Sequence, residues 1–234
     1  MENQASAQQS SPVPLFEAIL VIVATFFVFL FLGTGSELAF GDETTLIIGE
    51  LLILAVPLIY LLSKHINIKD YVRFDPNPKF ILIGLGCGGL LLLLNIAVSN
   101  VLTYFFGTSN AVQQSNQLIT NLSAQPSGLT VVAASLILAG ICEEFAFRGF
   151  LQNSIFKSLA ARRSKPVALT VAIFVAALVF GLFHFDPQGI YTLAAFISGL
   201  ALGYIYYRWN YTTSATAHAF MNLLVLILLI LGIA

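Results

Sequence analysis

The sequence is poor in charge. Asp, Glu, Lys and Arg together make up only 9% of its 234 residues, and the formal net charge is −1. Such a balance gives no indication of a nucleic-acid partner, and none is expected. Hydrophobic residues, in contrast, make up 58% of the chain, which is more apolar surface than a soluble protein of this size can bury. We therefore expect an integral membrane protein whose main solvent is lipid.

Cysteine is equally scarce. Cys87 and Cys142 are the only two, and both lie within apolar runs. This number and placement fit neither a disulfide framework nor a thiolate metal site. Both cysteines are predicted to be small core residues.

Long hydrophobic runs dominate what is present. A transmembrane helix needs about 20 mostly apolar residues, and seven segments qualify: 16–34, 46–63, 80–106, 128–157, 166–184, 189–207 and 211–233. The first fifteen residues contain no Lys or Arg, so the first run is interpreted as a membrane span and not as a cleaved signal peptide. The predicted fold class is all-α, a polytopic transmembrane bundle of about seven spans.

The chain is expected to form a single integral membrane domain, 1–234. In it, residues 16–127 supply the first three spans and an outer loop, and residues 128–230 form the core that carries the motifs. Loop 107–127 is polar and uncharged, as expected for either a flexible connector or a lid.

Charge in the connections alternates along the chain. The connections after spans two, four and six hold nine of the ten basic residues, whereas the opposite connections hold acidic residues without Lys or Arg. The positive-inside rule then places the N-terminus in the cytoplasm and the C-terminus outside. The nine basic residues are Lys64, Lys69, Arg73, Lys79, Lys157, Arg162, Arg163, Lys165 and Arg208.

The fourth span contains three ionisable residues, Glu143, Glu144 and Arg148. Charged side chains inside a bilayer cost about 2.5–3.5 kcal/mol each, so they persist where partners or water compensate them. Glu144 and Arg148 are four residues apart and share a helix face, which predicts an ion pair with Glu144 as a structural anion held by the guanidinium fork. Glu143 points elsewhere and is the candidate general base.

Two further spans carry polar residues at helical spacing. His184 follows Phe180 by four residues near the end of span five, and Asn222 follows His218 by four residues in span seven. An imidazole and an amide on one face could direct two donors at a developing oxyanion, while His184 assists Glu143 in activating water. Such a set is sufficient for peptide hydrolysis without a serine or cysteine nucleophile.

Each feature alone also has a structural interpretation. A single intramembrane His or Asn commonly bonds one helix to another, and Glu-Glu-Arg could be an ion-pair knot. Glu50 in span two and Asn95 in span three match no cluster and are expected to pack or to snorkel towards an interface. The alternatives to a peptidase are therefore a non-catalytic membrane immunity or scaffold protein and, less favoured because inverted repeats are missing, a small transporter.

Around these residues the sequence resembles the CAAX protease and bacteriocin-processing (CPBP, or Abi) family of membrane proteins. The family patterns Glu-Glu-x-x-x-Arg, Phe-x-x-x-His and His-x-x-x-Asn match in order and spacing, over about residues 128–230. The resemblance implies an intramembrane endopeptidase related to the type II CAAX prenyl endopeptidases, with Glu143, His184, His218 and Asn222 as its reacting residues. Its substrate would be a membrane-associated peptide or protein, either a prenylated CAAX-type protein or a bacteriocin or other peptide precursor.

A metal is a separate question, because the family is commonly labelled as a metalloprotease. Glu143, His184 and His218 could supply three ligands to zinc or another divalent ion and leave a position open for water. The His-Glu-x-x-His pattern is missing, and we favour a scheme without a cofactor.

The depth of the site in the membrane also follows from the spacing. At about 1.5 Å per residue, His184 lies about 28 Å from Lys165 and Glu143 about 21 Å from Lys157. The two can meet if the 157–165 hairpin projects into the cytoplasm, and we predict a polar cavity in the cytoplasmic half of the bilayer.

Overall fold

The computed structural model describes residues 13–233, except for the side chains of Thr34, residues 36–40 and Asp42. Within that range the chain is all-α, as predicted, and contains no strand. The helices are α1 Leu15–Phe40, α2 Asp42–Ser63, α3 Ile68–Tyr71, α4 Pro78–Phe106, α5 Asn110–Ser123, α6 Pro126–Glu144, α7 Asn153–Ala160, α8 Lys165–Phe183, α9 Ile190–Arg208 and α10 Tyr211–Ile230, with a π-helical segment, Phe145–Gln152, between α6 and α7.

Seven helical stretches in the described range are long and apolar enough to cross a membrane, which confirms the predicted number of spans. Their outward faces expose large apolar side chains such as Phe31, Leu82 and Tyr104, as expected of surfaces in contact with lipid. The protein is an integral membrane protein. The orientation of the N-terminus stays a prediction, and residues 1–12, which bear on it, lie outside the described residues.

The segment predicted as a polar loop, 107–127, is different in the structure. It contains the amphipathic helix α5, which packs against α6. The hydroxyl of Ser109 caps the helix by accepting a hydrogen bond from the backbone N–H of Val112. The apolar residues Val112, Ile119 and Leu122 recur at helical spacing, so a sparse hydrophobic stripe was hidden among polar residues.

Connections between the spans gather at the two ends of the bundle. At one end, the Arg73 guanidinium donates to the backbone carbonyls of Tyr206 and Trp209 at the end of α9, and the hydroxyls of Tyr71 and Ser154 are 2.6 Å apart. This end therefore unites the basic connections that the sequence places on one side of the membrane. At the other end, the backbone N–H of Asn110 donates to the side chain of Gln188.

Helix α6, the π-helical segment and α7 run on as one helical stretch of 35 residues. At about 1.5 Å per residue its length exceeds the roughly 30 Å hydrocarbon core. The sequence predicted a continuous α-helix here, whereas all eight residues of the π-helical segment are buried in wider turns. Glycines of α9 allow the close approach: Arg148 donates to the carbonyl of Gly199 and Gln152 to that of Gly203, at 3.3 and 3.0 Å.

Candidate active site

Three helices bring the predicted reacting residues together. Glu143 is the last residue but one of α6, His184 directly follows α8, and His218 and Asn222 lie in α10. The two carboxylate oxygens of Glu143 lie 3.9 Å from Nε2 of His184 and 3.8 Å from Nε2 of His218. Glu143 and His218 are buried, and His184 is partly exposed. The structure thus places one carboxylate between two imidazoles inside the bundle.

Glu144 and Arg148 form a buried ion pair that contacts His218. Nη1 of Arg148 lies 2.7 Å from Oε1 of Glu144, and both side chains are fully buried. The guanidinium contacts the carboxylate through one nitrogen and not as the expected fork, because Nη2 donates to the Gly199 carbonyl. The same Glu144 oxygen lies 3.2 Å from Nδ1 of His218, so the ion pair also orients this histidine.

The ring of Phe180 packs against the rings of both histidines. Its ring lies 4.5 Å from the ring of His184 and 5.9 Å from that of His218, and the Arg148 guanidinium stands 4.3 Å over its face. The backbone carbonyl of Phe180 accepts a hydrogen bond from Nδ1 of His184 at 2.9 Å. Because a carbonyl can only accept, the hydrogen lies on Nδ1, and Nε2 of a neutral His184 presents a lone pair to Glu143.

Asn222, the fourth predicted reacting residue, makes its hydrogen bond to the backbone of α6. Its amide Nδ2 donates to the backbone carbonyl of Leu136 in α6 at 3.4 Å, and the side chain is partly buried. An amide has two donor hydrogens, so this contact leaves one for another acceptor. Asn222 therefore links α10 to α6 within the helix that carries His218.

Helices α6 and α10 approach each other closely beside the site. A Cβ atom on Gly140 would lie 2.6 Å from Cα of Ala219, a separation that real structures do not contain. The Tyr211 hydroxyl also donates to the carbonyl of Ile141, at 2.9 Å. Gly140 thus sets the spacing between the backbones that carry Glu143 and His218.

The buried carboxylate of Asp186 stabilises the turn after His184. Asp186 is 1% exposed and accepts hydrogen bonds from the backbone N–H groups of Tyr191 and Thr192 and from the Ser109 hydroxyl. Burial raises the pKa of this carboxyl, but the hydrogen bonds from Thr192, Ser109 and Tyr191 outweigh it and lower the pKa below its ordinary value. The Asp-Pro pair before a glycine is the signal that could have indicated a turn here.

Two residues outside the predicted set also lie at the site. The ring of Tyr191 packs edge-to-face on His184, with centroids 5.3 Å apart. Glu50 was expected to pack or snorkel, but its Oε2 is buried and its carboxylate is near enough to that of Glu143 for the two charges to repel. An ionisable residue in a span was the available signal, but no helical spacing links α2 to α6.

The donor set was tested for a metal ion. Glutamate and histidine are suitable zinc ligands, but no group of three His, Cys, Asp or Glu in the described part of the chain is arranged to hold one. The separations of 3.8 and 3.9 Å from Glu143 to the two imidazoles are wider than neighbouring ligands of one tetrahedral ion need. As placed, these side chains do not form a metal-binding set in the described part of the chain.

An apolar groove of about 730 Å³ runs along the bundle beside the site. It is bounded by α1, the end of the π-helical segment, α7 and α8, and Phe183 and Phe185, on either side of His184, line it. The Phe183 ring also packs on that of Phe147, with centroids 4.9 Å apart. Other lining residues are Ile22, Phe26, Leu151, Ile155 and Val179.

Comparison with known proteins concerns the same part of the chain. Residues 125–224 match the family described as type II CAAX prenyl endopeptidase Rce1-like. No curated protein and no solved structure matches the chain. The matched region contains all seven motif residues of the site and excludes α1 to α5. Residues 125–224 are therefore similar to the Rce1-like family of type II CAAX prenyl endopeptidases, in agreement with the resemblance seen in the sequence.

Proposed function

We propose that this protein is an intramembrane peptidase that hydrolyses a peptide bond of a membrane-associated substrate with activated water. The observation that carries the proposal is the buried Glu143 carboxylate between Nε2 of His184 and Nε2 of His218. The family match of residues 125–224 supports peptide hydrolysis as the class of reaction.

Activation of water is the first step. The 3.9 Å between Glu143 Oε1 and His184 Nε2 is too long for a direct hydrogen bond and is a span that one water can bridge. A water held by both groups gives one proton to Glu143 as its oxygen forms a bond to the substrate carbonyl carbon. Glu143 then returns that proton to the amine nitrogen as the carbon–nitrogen bond breaks, so the carboxylate is regenerated.

Two residues of α10, His218 and Asn222, stabilise the oxyanion in this scheme. Nδ1 of His218 donates to the ionised Glu144, so a protonated His218 has its Nε2–H free to donate into the site. The second hydrogen of the Asn222 amide can join it. Removing one such donor costs about 2.7–4 kcal/mol of transition-state stabilisation in other hydrolases. Glu144 and Arg148 do not react in this scheme, since they fix the position and charge of His218.

The substrate class is proposed from the groove. The apolar groove, which reaches Phe183 and Phe185, suits a single hydrocarbon chain next to the scissile bond. A peptide with a prenyl group close to its cleavage site would occupy both the groove and the polar cluster. We therefore favour a prenylated CAAX-type substrate over an unmodified bacteriocin or peptide precursor.

The site is proposed to open towards the cytoplasmic half of the membrane. The end of the bundle that gathers the basic connections lies beyond α7, and the 35-residue helical stretch is long enough to project past the hydrocarbon core. A polar cavity there admits water and an extended peptide without exposing unpaired backbone groups to lipid.

The test is cleavage of an internally quenched farnesylated peptide with a CAAX terminus by purified protein in liposomes. Glu143→Gln keeps the shape of the side chain and removes the base, so cleavage should fall by a factor of about 10²–10⁴. Glu43→Gln, which changes an exposed acid at the start of α2, is the matched control and should cleave at the wild-type rate.

A folded Glu143→Gln protein that still cleaves would contradict the assignment of the reaction to this site. If wild type cleaves a non-prenylated precursor and not the farnesylated peptide, the peptidase stands and the prenyl substrate is wrong. Comparing membrane proteomes of wild-type and Glu143→Gln cells for accumulating precursors separates peptidase from scaffold, because a scaffold leaves every precursor unchanged.

A further inference from the structure

Three buried carboxylate oxygens in the described part of the chain have no hydrogen-bond partner. They are Oε2 of Glu50 in α2 and the Oε2 atoms of Glu143 and Glu144 in α6. Helix α2 packs directly against α6, and the carboxylates of Glu50 and Glu143 are near enough to repel each other. The mechanism above uses Glu143 and leaves Glu50 without a role.

Glu50 lies near groups that surround the reacting residues. Tyr191, whose ring packs on His184, interacts electrostatically with both Glu143 and Glu50. The buried thiol of Cys142, next to Glu143 in the chain, likewise interacts with both carboxylates. Glu50 is therefore near both the end of α6 and the start of α9. Glu17, the acidic residue of α1 whose side chain the structure describes, pairs instead with Lys64, directly after α2.

Burial and charge together decide which carboxyl holds a proton. Two buried carboxylates that repel each other favour a state in which one of them is protonated. The positive charge of Arg148 acts favourably on Glu143, and two imidazoles flank it. For Glu50, burial is the larger effect against the charged form, and the charge of Glu143 adds to it. The pair is therefore lowest in energy with Glu143 ionised and Glu50 as the neutral acid.

We propose that Glu50 is the general acid of this site: it protonates the leaving amine in place of Glu143, to which the proposed function gave that step, and Glu143 serves only as the base. This inference rests on the proposed peptidase function. It separates the two proton transfers between two carboxyl groups whose surroundings favour opposite charge states.

The step balances in atoms and protons. Water gives one proton to Glu143 and its oxygen bonds to the carbonyl carbon. The Glu50 acid gives its proton to the amide nitrogen as the carbon–nitrogen bond breaks, which leaves Glu50 ionised and Glu143 protonated. The proton then passes from Glu143 to Glu50, the hydroxyl proton of the new acid is lost to solvent, and the starting charge states return.

The experiment measures cleavage of the farnesylated quenched peptide against pH for wild type, Glu143→Gln, Glu50→Gln, Glu50→Asp and Glu43→Gln. Glutamine keeps the shape of Glu50 but cannot give up a proton. The kcat of Glu50→Gln should fall by a factor of about 10²–10⁴ with KM little changed, and the alkaline limb of its kcat profile should shift to a different pH. Glu50→Asp should keep the alkaline limb at reduced kcat.

A Glu50→Gln enzyme with wild-type kcat overturns the proposal. A Glu50→Gln enzyme with lowered kcat and an unmoved alkaline limb also overturns it, because a structural role would lower the rate without moving the pH profile. If Glu50→Gln does not fold, Glu50→Asp decides, and an unchanged kcat there has the same meaning. Loss of cleavage in Glu143→Gln alone leaves the proposed function standing.

A second measurement does not need cleavage. The infrared carbonyl band of a protonated carboxylic acid should be present in wild type and in Glu143→Gln and missing in Glu50→Gln. If wild type fails to cleave the peptide, the proposed function fails for that substrate while this band still tests the neutral Glu50. A band that persists in Glu50→Gln overturns the proposal.

Discussion

One oxygen of Glu144 contacts both Arg148 and His218, at 2.7 Å from Nη1 and 3.2 Å from Nδ1. The ion pair is therefore more than a link between turns of one helical stretch, because it extends to an imidazole of α10. Whatever disturbs Arg148 changes the carboxylate that orients His218.

Replacement of Arg148 by Met is expected to destabilise the protein strongly. The fully buried Glu144 would lose its counter-charge, and breaking a buried ion pair costs about 3–5 kcal/mol. Thermal unfolding in detergent, followed by tryptophan fluorescence or light scattering, measures the loss. The double variant Glu144→Leu with Arg148→Met removes both charges and should recover most of the stability, but not cleavage, because His218 lacks its partner. A double variant as unstable as the single one would contradict this account.

Substitution of Gly140 by Ala should lower the cleavage rate of the folded protein and not only its stability. The new methyl group would collide with the backbone of Ala219 and push α10 away from α6, which widens the distance between Glu143 and His218. A misplacement of about 1 Å can cost 10²-fold in rate. Gly86→Ala in α4 is the control, since nothing lies within 4 Å of a Cβ there. Equal activity of both variants would show that the spacing is not critical.

Asp186 should make stability depend on acid pH. Its pKa is lowered in the folded protein, so its contribution is fully present above the unfolded value of about 3.9 and is lost as the pH falls through the lower folded value. Melting temperatures of wild type and Asp186→Asn from neutral pH down to about pH 3 should converge towards acid. Ser109→Ala, which removes one hydrogen bond but keeps the carboxyl, should retain the pH dependence. A constant difference between wild type and Asp186→Asn would rule out this explanation.

Chelation tests the scheme without a metal. Purified protein treated with a strong chelator should keep its cleavage rate, and elemental analysis should find less than stoichiometric zinc. Loss of cleavage that added zinc restores would show that Glu143, His184 and His218 rearrange into a ligand set on binding. Thermal stabilisation by zinc in an inactive Glu50→Gln protein would report the same binding without relying on activity.

The helical fold and most of the site could be predicted because both depend on local spacing. Apolar runs of span length have few alternatives, and residues four apart, such as Glu144 and Arg148, share a face of any helix. The contact between Glu143 and the two histidines required only that motif-bearing helices pack together. Whether these residues react is a prediction that mutagenesis must decide.

The rest depended on information that spacing does not contain. Glu50 lies near Glu143 only because α2 packs on α6, and no pattern in either helix encodes that pairing. Helix α5 was missed because its hydrophobic stripe is short and its composition is polar. The hydrogen bond from Asn222 to the Leu136 carbonyl depends on how closely α6 and α10 approach.

The π-helical segment has a consequence for comparing this protein with its relatives. Each i→i+5 hydrogen bond uses one more residue than an α-helical bond, so residues 145–152 contain slack in the chain length. Loss of one residue after Arg148, within residues 149–152, can be absorbed by tightening a turn, with Glu143 and Arg148 kept in place and α7 still in line. A one-residue gap in residues 149–152 between two family members is therefore compatible with the same catalytic geometry, whereas a gap between Glu143 and Arg148 separates the carboxylates from their cation.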